Sequence, residues 1–196
     1  MNFYLEVTET IRAFIAIELD DAITKMIGDI ERQLASLDCD IRLVKPENCH
    51  LTLKFLGEIR IKKIPSIVDV VGSQVKKSSR LSFHLTGLGA FPSLHAPRIV
   101  WVGVGDHDSH IANFVNSLEN TLGNIGIEKE DKSFHPHITM GRVKSNKNAS
   151  RISKFIKSHG VLNNVSQITR EITLFKSTLN ALGPRYESIG KFAFLQ

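Results

Sequence analysis

Two short stretches of the chain hold residues able to do acid–base chemistry: His50-Leu51-Thr52-Leu53 and His137-Ile138-Thr139-Met140. Both read His-apolar-Thr-apolar. A period of two is that of a strand, so in each the imidazole and the hydroxyl share one sheet face while the apolar residues anchor the other. Imidazole ionises near pH 6.5 and serves as acid or base around neutrality. If the two strands meet, two imidazoles and two hydroxyls converge. One imidazole can take a proton from an attacking oxygen while the other gives a proton to a leaving oxygen. The threonines can donate hydrogen bonds to the non-bridging oxygens of a phosphate, where charge builds up. This is a layout for transfer at a phosphodiester that needs no metal or other cofactor, and a strained cyclic phosphate is an apt substrate. One such stretch would mean little; two of them, 87 residues apart (50 to 137), point to a duplicated half-site.

The elements that must position these residues follow from periodicity. Residues 11–19 alternate and predict a buried strand. Asp20 caps a helix to about Leu37, with Ile23, Met26, Ile27, Ile30 and Leu34 as its apolar stripe. A short strand at 41–44 and a turn at 45–48 lead into the first His-Thr strand, about Cys49 to Leu56, which Gly57 is expected to end. A second helix is predicted over 61–79, with Pro65 in its first turn. Strands are predicted at 81–88 and 98–104, with a loop at 89–97 between them. Asp108 is expected to cap a third helix through about Leu122. After a charged loop at 128–133 and the second His-Thr strand come a short helix, 149–159, and two closing strands, 168–175 and 186–195. The order is that of an α+β fold with largely antiparallel sheet, in two lobes related by duplication.

Composition excludes several classes. The 196 residues, 42% hydrophobic and 23% charged, are ordinary for a globular chain. A net charge of +5 and a pI of about 9.3 favour a polyanionic or phosphorylated partner, but weakly. Cys39 and Cys49 are too few for a disulfide framework. The start lacks a signal-like apolar core, and no stretch approaches the roughly 20 apolar residues needed to cross a bilayer, so a cytoplasmic location is expected. His135 and His137 share a face and could ligate a metal, yet no Cys or acidic cluster stands beside them. His84, His95, His107, His110 and His159 show no partner pattern and are read as surface or loop residues. Alternation puts Cys49 on the face opposite His50, which argues against a Cys-His nucleophilic pair.

With these flanks the chain resembles the 2H phosphoesterase superfamily, and within it the RNA 2′,3′-cyclic phosphodiesterases, also called 2′-5′ RNA ligases. The resemblance covers nearly all of residues 11–196. It rests on Arg12-Ala13-Phe14-Ile15-Ala16-Ile17, Leu43-Val44-Lys45-Pro46-Glu47-Asn48 before the first motif, Phe55-Leu56-Gly57-Glu58 after it, Phe91-Pro92, Pro97-Arg98, Trp101-Val102-Gly103-Val104, Phe134-His135-Pro136-His137-Ile138-Thr139, Leu174-Phe175-Lys176-Ser177 and Tyr186. It implies one bilobed domain, residues 1–196, with residues 1–10 standing in front of the family's usual start. It implies a central groove, and hydrolysis of an RNA 2′,3′-cyclic phosphate to a 2′-phosphomonoester. His50 is then the proton donor, His137 the proton acceptor, and Thr52 and Thr139 hold the phosphate. Phe55 and Arg142, each five residues after its histidine, would hold the nucleotide by stacking and by charge. Strict alternation places both on the face opposite the histidines, so a bulge or strand end must intervene. The expected partners are RNA with a cyclic-phosphate end or a small cyclic nucleotide, acted on by a monomer with no metal. Reversible 2′-5′ end joining, a small cyclic-nucleotide activity, or a non-catalytic RNA-binding module are the competing readings.

Overall fold

The computed structural model describes residues 9–162, 165–180 and 183–195, the His107 side chain excepted. Residues 1–8, most of the segment expected to precede the fold, lie outside these. The strands are β1 (Thr10–Glu18), β2 (Ile41–Leu43), β3 (His50–Arg60), β4 (Ser82–Phe91), β5 (Ile99–Gly105), β6 (His137–Val143), β7 (Ser166–Ile168), β8 (Glu171–Asn180) and β9 (Gly183–Ala193); the helices are α1 (Asp21–Ala35), α2 (Ile64–Lys76), α3 (His110–Gly123) and α4 (Ala149–Ser158). All strand pairings are antiparallel, and the sheet runs β7-β4-β5-β6-β3-β1-β8-β9, with β2 on β6.

The duplication is visible in that order. From the centre outward, β3-β1-β8-β9 makes one lobe and β6-β5-β4-β7 the other. In each, the motif strand pairs with the strand that precedes a long helix, β1 before α1 and β5 before α3. The lobes join where β3 meets β6 at one rung, Leu51 opposite Ile138. These two residues hold equivalent places in the motifs, each directly after its histidine, so a local two-fold axis runs between them. The helices cover the outer side of the sheet. The apolar stripe of α1, Ile23, Ile27, Ile30 and Leu34, enters the main core there together with Ile15, Ile17, Leu51 and Ile138. A separate, smaller cluster of Phe14, Ala16 and Phe175, with Tyr186 packed on it, lies on the opposite side of the first lobe. That inner side is the groove.

Several expectations are corrected. Gly57 does not end β3: the strand passes it at φ +68° and continues to Arg60. The helix expected over 61–79 is a 3₁₀ turn, Ile61–Lys63, followed by α2. Strand β4 takes in Gly89, Ala90 and Phe91, expected in the loop at 89–97. That glycine lies opposite Trp101, and a Cβ there would stand 2.2 Å from the indole ring, so it is needed for room within a strand. Asp108 does not cap α3: it sits at φ +60°, Ser109 holds the N-cap position, and the Oδ2 of Asp106 accepts from Ile111 N in the first turn at 2.6 Å. His84 lies in β4 and is partly buried, while His110 begins α3 and is exposed, as a surface residue is. The closing strand expected at 168–175 is two strands: β7 pairs with β4 and β8 with β1, so the chain crosses between lobes at Thr169-Arg170. Asp20 does cap α1, accepting from Ile23 N at 2.9 Å. Among the described residues no helix is long and apolar enough to cross a membrane.

Candidate active site

The rung Leu51–Ile138 sets the site. Both residues are fully buried on the core side, so their neighbours His50, Thr52, His137 and Thr139 face the groove. Continuing the antiparallel register one residue either way sets His50 level with Thr139 and Thr52 level with His137. The charge of His137 is felt at His50. A second tie holds the motif strands together: the Cys49 thiol donates to the Thr139 carbonyl at 3.5 Å. Cys49 is buried beside Glu31 of α1, on the core face as alternation requires. Burial pushes its thiol up, away from the thiolate needed for a nucleophile. Burial likewise pushes the Glu31 carboxyl up to about 7.

Each motif imidazole is oriented the same way. His50 Nδ1 donates to the Asn48 carbonyl at 2.8 Å, and His137 Nδ1 donates to the His135 carbonyl at 2.7 Å. A carbonyl only accepts, so Nδ1 carries the proton in both, and Nε2 is the atom left for chemistry. Aromatic rings fix the remaining freedom. His50 stacks on Phe14 with centroids 4.8 Å apart and receives Tyr186 edge-on at 5.2 Å. His137 meets Phe91 edge-on at 5.1 Å, with Trp101 at 6.2 Å. Burial holds the His50 pKa below the usual imidazole value; the Asn48 carbonyl pulls the other way, and the His137 charge adds to the lowering.

Phe55 and Arg142 reach the groove through bulges. In the β1–β3 ladder Ile15 pairs with Lys54 and Ala16 with Thr52, so Leu53 is an extra residue. In the β5–β6 ladder Val100 pairs with Gly141 and Trp101 with Thr139, so Met140 is extra. Each bulge sits three residues after its histidine, and each turns the following strand over. Phe55 then pairs across to groove-facing Phe14, with ring centroids 6.3 Å apart, and both Phe55 and Arg142 are exposed. The sequence reading missed Phe14, Tyr186, Phe91 and Trp101 as groove residues. They are ordinary strand aromatics in the pattern, and only the pairing register brings them to the histidines. His135, the other half of the His-x-His pair, turns its Nδ1 to the Ser133 carbonyl at 2.8 Å. Among the described residues no three His, Cys, Asp or Glu side chains gather as a metal site.

The chain matches the family described as LigT like Phosphoesterase over residues 17–101 and again over 102–186. It is 32% identical to the RNA 2′,3′-cyclic phosphodiesterase of Methanothermobacter thermautotrophicus, covering 93% of this chain and 98% of that one. It is 31% identical to the protein of that name from Archaeoglobus fulgidus, covering 92% and 99%. In fold it is similar to the crystal structure of TT0787 of Thermus thermophilus, with a TM-score of 0.80 at 21% identity over 93% of this chain and 97% of that one. E. coli LigT complexed with 3′-AMP superposes with a TM-score of 0.75 at 24% identity, over 96% and 100%. Two matched halves, the paired motif strands and relatives above 30% identity along nearly the whole length together show that this chain belongs to the LigT-like phosphoesterase family.

Proposed function

We propose that the chain, as one bilobed unit, hydrolyses RNA 2′,3′-cyclic phosphate ends to 2′-phosphomonoesters by two-histidine acid–base catalysis. The observation that carries this is the matched pair of imidazoles, both with Nδ1 committed to a backbone carbonyl and Nε2 left for the groove. Curated relatives that bear this activity's name and align over nearly the whole chain support it.

The cyclic phosphate sits between the motifs, with the Thr52 and Thr139 hydroxyls donating to its non-bridging oxygens. His137 Nε2 takes a proton from water as the water oxygen bonds to phosphorus. The bond from phosphorus to the 3′ oxygen breaks, and His50 Nε2 gives its proton to that oxygen. The product is a 2′-phosphate with a free 3′ hydroxyl. His137 leaves the step protonated and His50 neutral, and exchange with solvent resets both. Phe55 stacks on the terminal base and Arg142 supplies charge to the nucleotide. The enzyme acts in the cytoplasm as a monomer and without a metal.

The test is incubation of a short RNA ending in a 2′,3′-cyclic phosphate with chelator present. Full conversion to a 2′-phosphate end is expected. A 3′-phosphate product would reverse the donor and acceptor, and bound but unreacted RNA would overturn the enzymatic reading.

The pH profile follows from the environment of His50. A donor must be protonated, and burial lowers the pKa of this one in the free protein. Its proton is therefore lost below the ordinary imidazole value of about 6.5 as pH rises. The high-pH limb of kcat/KM, which reports the free enzyme, is expected below that value. In kcat the same limb should move upward, because a bound phosphodiester anion favours the imidazolium. Equal limbs in the two profiles would argue against His50 as the donor.

A further inference from the structure

The groove face of the second lobe carries an uncompensated pair of charges. Arg42 of β2 lies directly opposite Arg142 of β6. The Met140 bulge has turned Arg142 to the groove, and residues opposite each other share a sheet face, so Arg42 faces the groove as well. Like charges directly across a strand pair are destabilising. Both side chains are exposed, and neither forms an ion pair among the described residues. Arg12 of β1, also on the groove side, is different, since Glu58 stands across the ladder from it.

The Arg42 head group lies beside the β8–β9 hairpin. Gly183, at φ +131° where the β8–β9 hairpin closes, lies so near that a Cβ there would stand 2.9 Å from Arg42 Nη2. Glycine at this position lets the hairpin of the first lobe lie against a guanidinium of the second. Three residues along the same hairpin, Tyr186 is half-buried and feels the charges of Arg142 and Arg12. Burial is the larger influence on its phenol and raises its pKa, so it stays a neutral donor. One place in the groove thus holds two guanidinium forks and a phenol hydroxyl, with no carboxylate among the described residues bonded to either arginine.

We propose that Arg42, together with Arg142 and Tyr186, forms a second anion site that binds the internucleotide phosphate 5′ to the cyclic end. The proposal rests on the cyclic-phosphodiesterase reading and names what makes the site prefer an RNA chain to a single nucleotide. A diester phosphate has two non-bridging oxygens, one for each guanidinium, and such charge-assisted forks fit phosphate closely. Three residues of strand with the Met140 bulge among them, at most about 10 Å, separate Thr139 at the reacting phosphate from Arg142, a span that one nucleotide unit and an extended arginine cover.

The test compares a mononucleoside 2′,3′-cyclic phosphate with a dinucleotide that carries one internal phosphate and the same cyclic end, for wild type and Arg42→Gln. Loss of one charged hydrogen-bonding group should raise KM for the dinucleotide about tenfold or more. The mononucleoside should change less than about twofold, and the melting temperature should hold because Arg42 is exposed. The salt slope of log kcat/KM on the dinucleotide should flatten by about 0.7 in the variant and stay unchanged on the mononucleoside. Equal losses on both substrates, or no loss on either, would overturn the second anion site while leaving the hydrolytic reading intact. Wild-type protein that opened neither substrate would overturn that reading, and the site with it.

Discussion

His50→Ala and His137→Ala are each expected to lower turnover of a cyclic-phosphate RNA end by about 10²–10⁴. The double variant should lose little more than the worse single one, because groups acting in one step are not additive. The two losses are separable by chemistry. If the 3′ bridging oxygen is replaced by sulfur, the leaving thiolate needs no proton. His50→Ala should then recover most of its lost rate, and His137→Ala should recover none. The opposite pattern would exchange the two roles, and no loss in either variant would remove the two-histidine mechanism. A stability control is needed for His50, whose ring stacks on Phe14 and meets Tyr186 edge-on, so alanine also leaves a gap there.

The site was legible in the sequence because period-two patterning needs no knowledge of pairing. His50, Thr52, His137 and Thr139 fall on one face of their strands by alternation alone, and the duplication follows from repeating that pattern. Phe55 and Arg142 were named only through the family resemblance, with a bulge as the condition. The bulges at Leu53 and Met140 meet that condition, and nothing in either residue marks a bulge in advance. What pairing alone determines was not legible. The run 168–175 reads as one strand, yet Thr169 N bonds back to the Leu81 carbonyl in one lobe while Phe194 N bonds to the Arg170 carbonyl in the other. The crossover depends on those distant partners. The same holds for Asp106, whose carboxylate reaches the first turn of α3, where the nearer Asp108 takes a left-handed turn instead. Tyr186 reaches His50 only because β9 is the fourth strand of a sheet that curls around the groove.

The Leu53 bulge has a cost on the core side, and the largest stability effect is expected there. By turning the strand over, it sends Leu53 and Lys54 inward together. Lys54 is 3% exposed, an extreme position for an ammonium. Its Nζ meets Glu119 Oε1 of α3 at 2.9 Å and the Glu128 carbonyl at 2.8 Å. Glu119 Oε2 is buried without a hydrogen-bond partner among the described residues. Lys54→Ala would therefore leave a carboxylate inside the protein with neither oxygen compensated. A change of this kind costs about 3–5 kcal/mol. For a chain of this size each kcal/mol moves the melting temperature by about 2–4 °C, so a drop of roughly 6–20 °C is expected in thermal unfolding. Lys54→Met combined with Glu119→Leu should recover most of that loss, since an apolar pair of similar volume carries no desolvation penalty. A Lys54→Ala protein that melts within about 2 °C of wild type would mean that water reaches Glu119 and that the pair is not a buried one. The bulge that brings Phe55 to the substrate would then carry no such cost. If the drop is as large as expected, the cation beneath β3 and the aromatic ring above it are two consequences of one inserted residue, and no substitution at Leu53 can be read for one without the other.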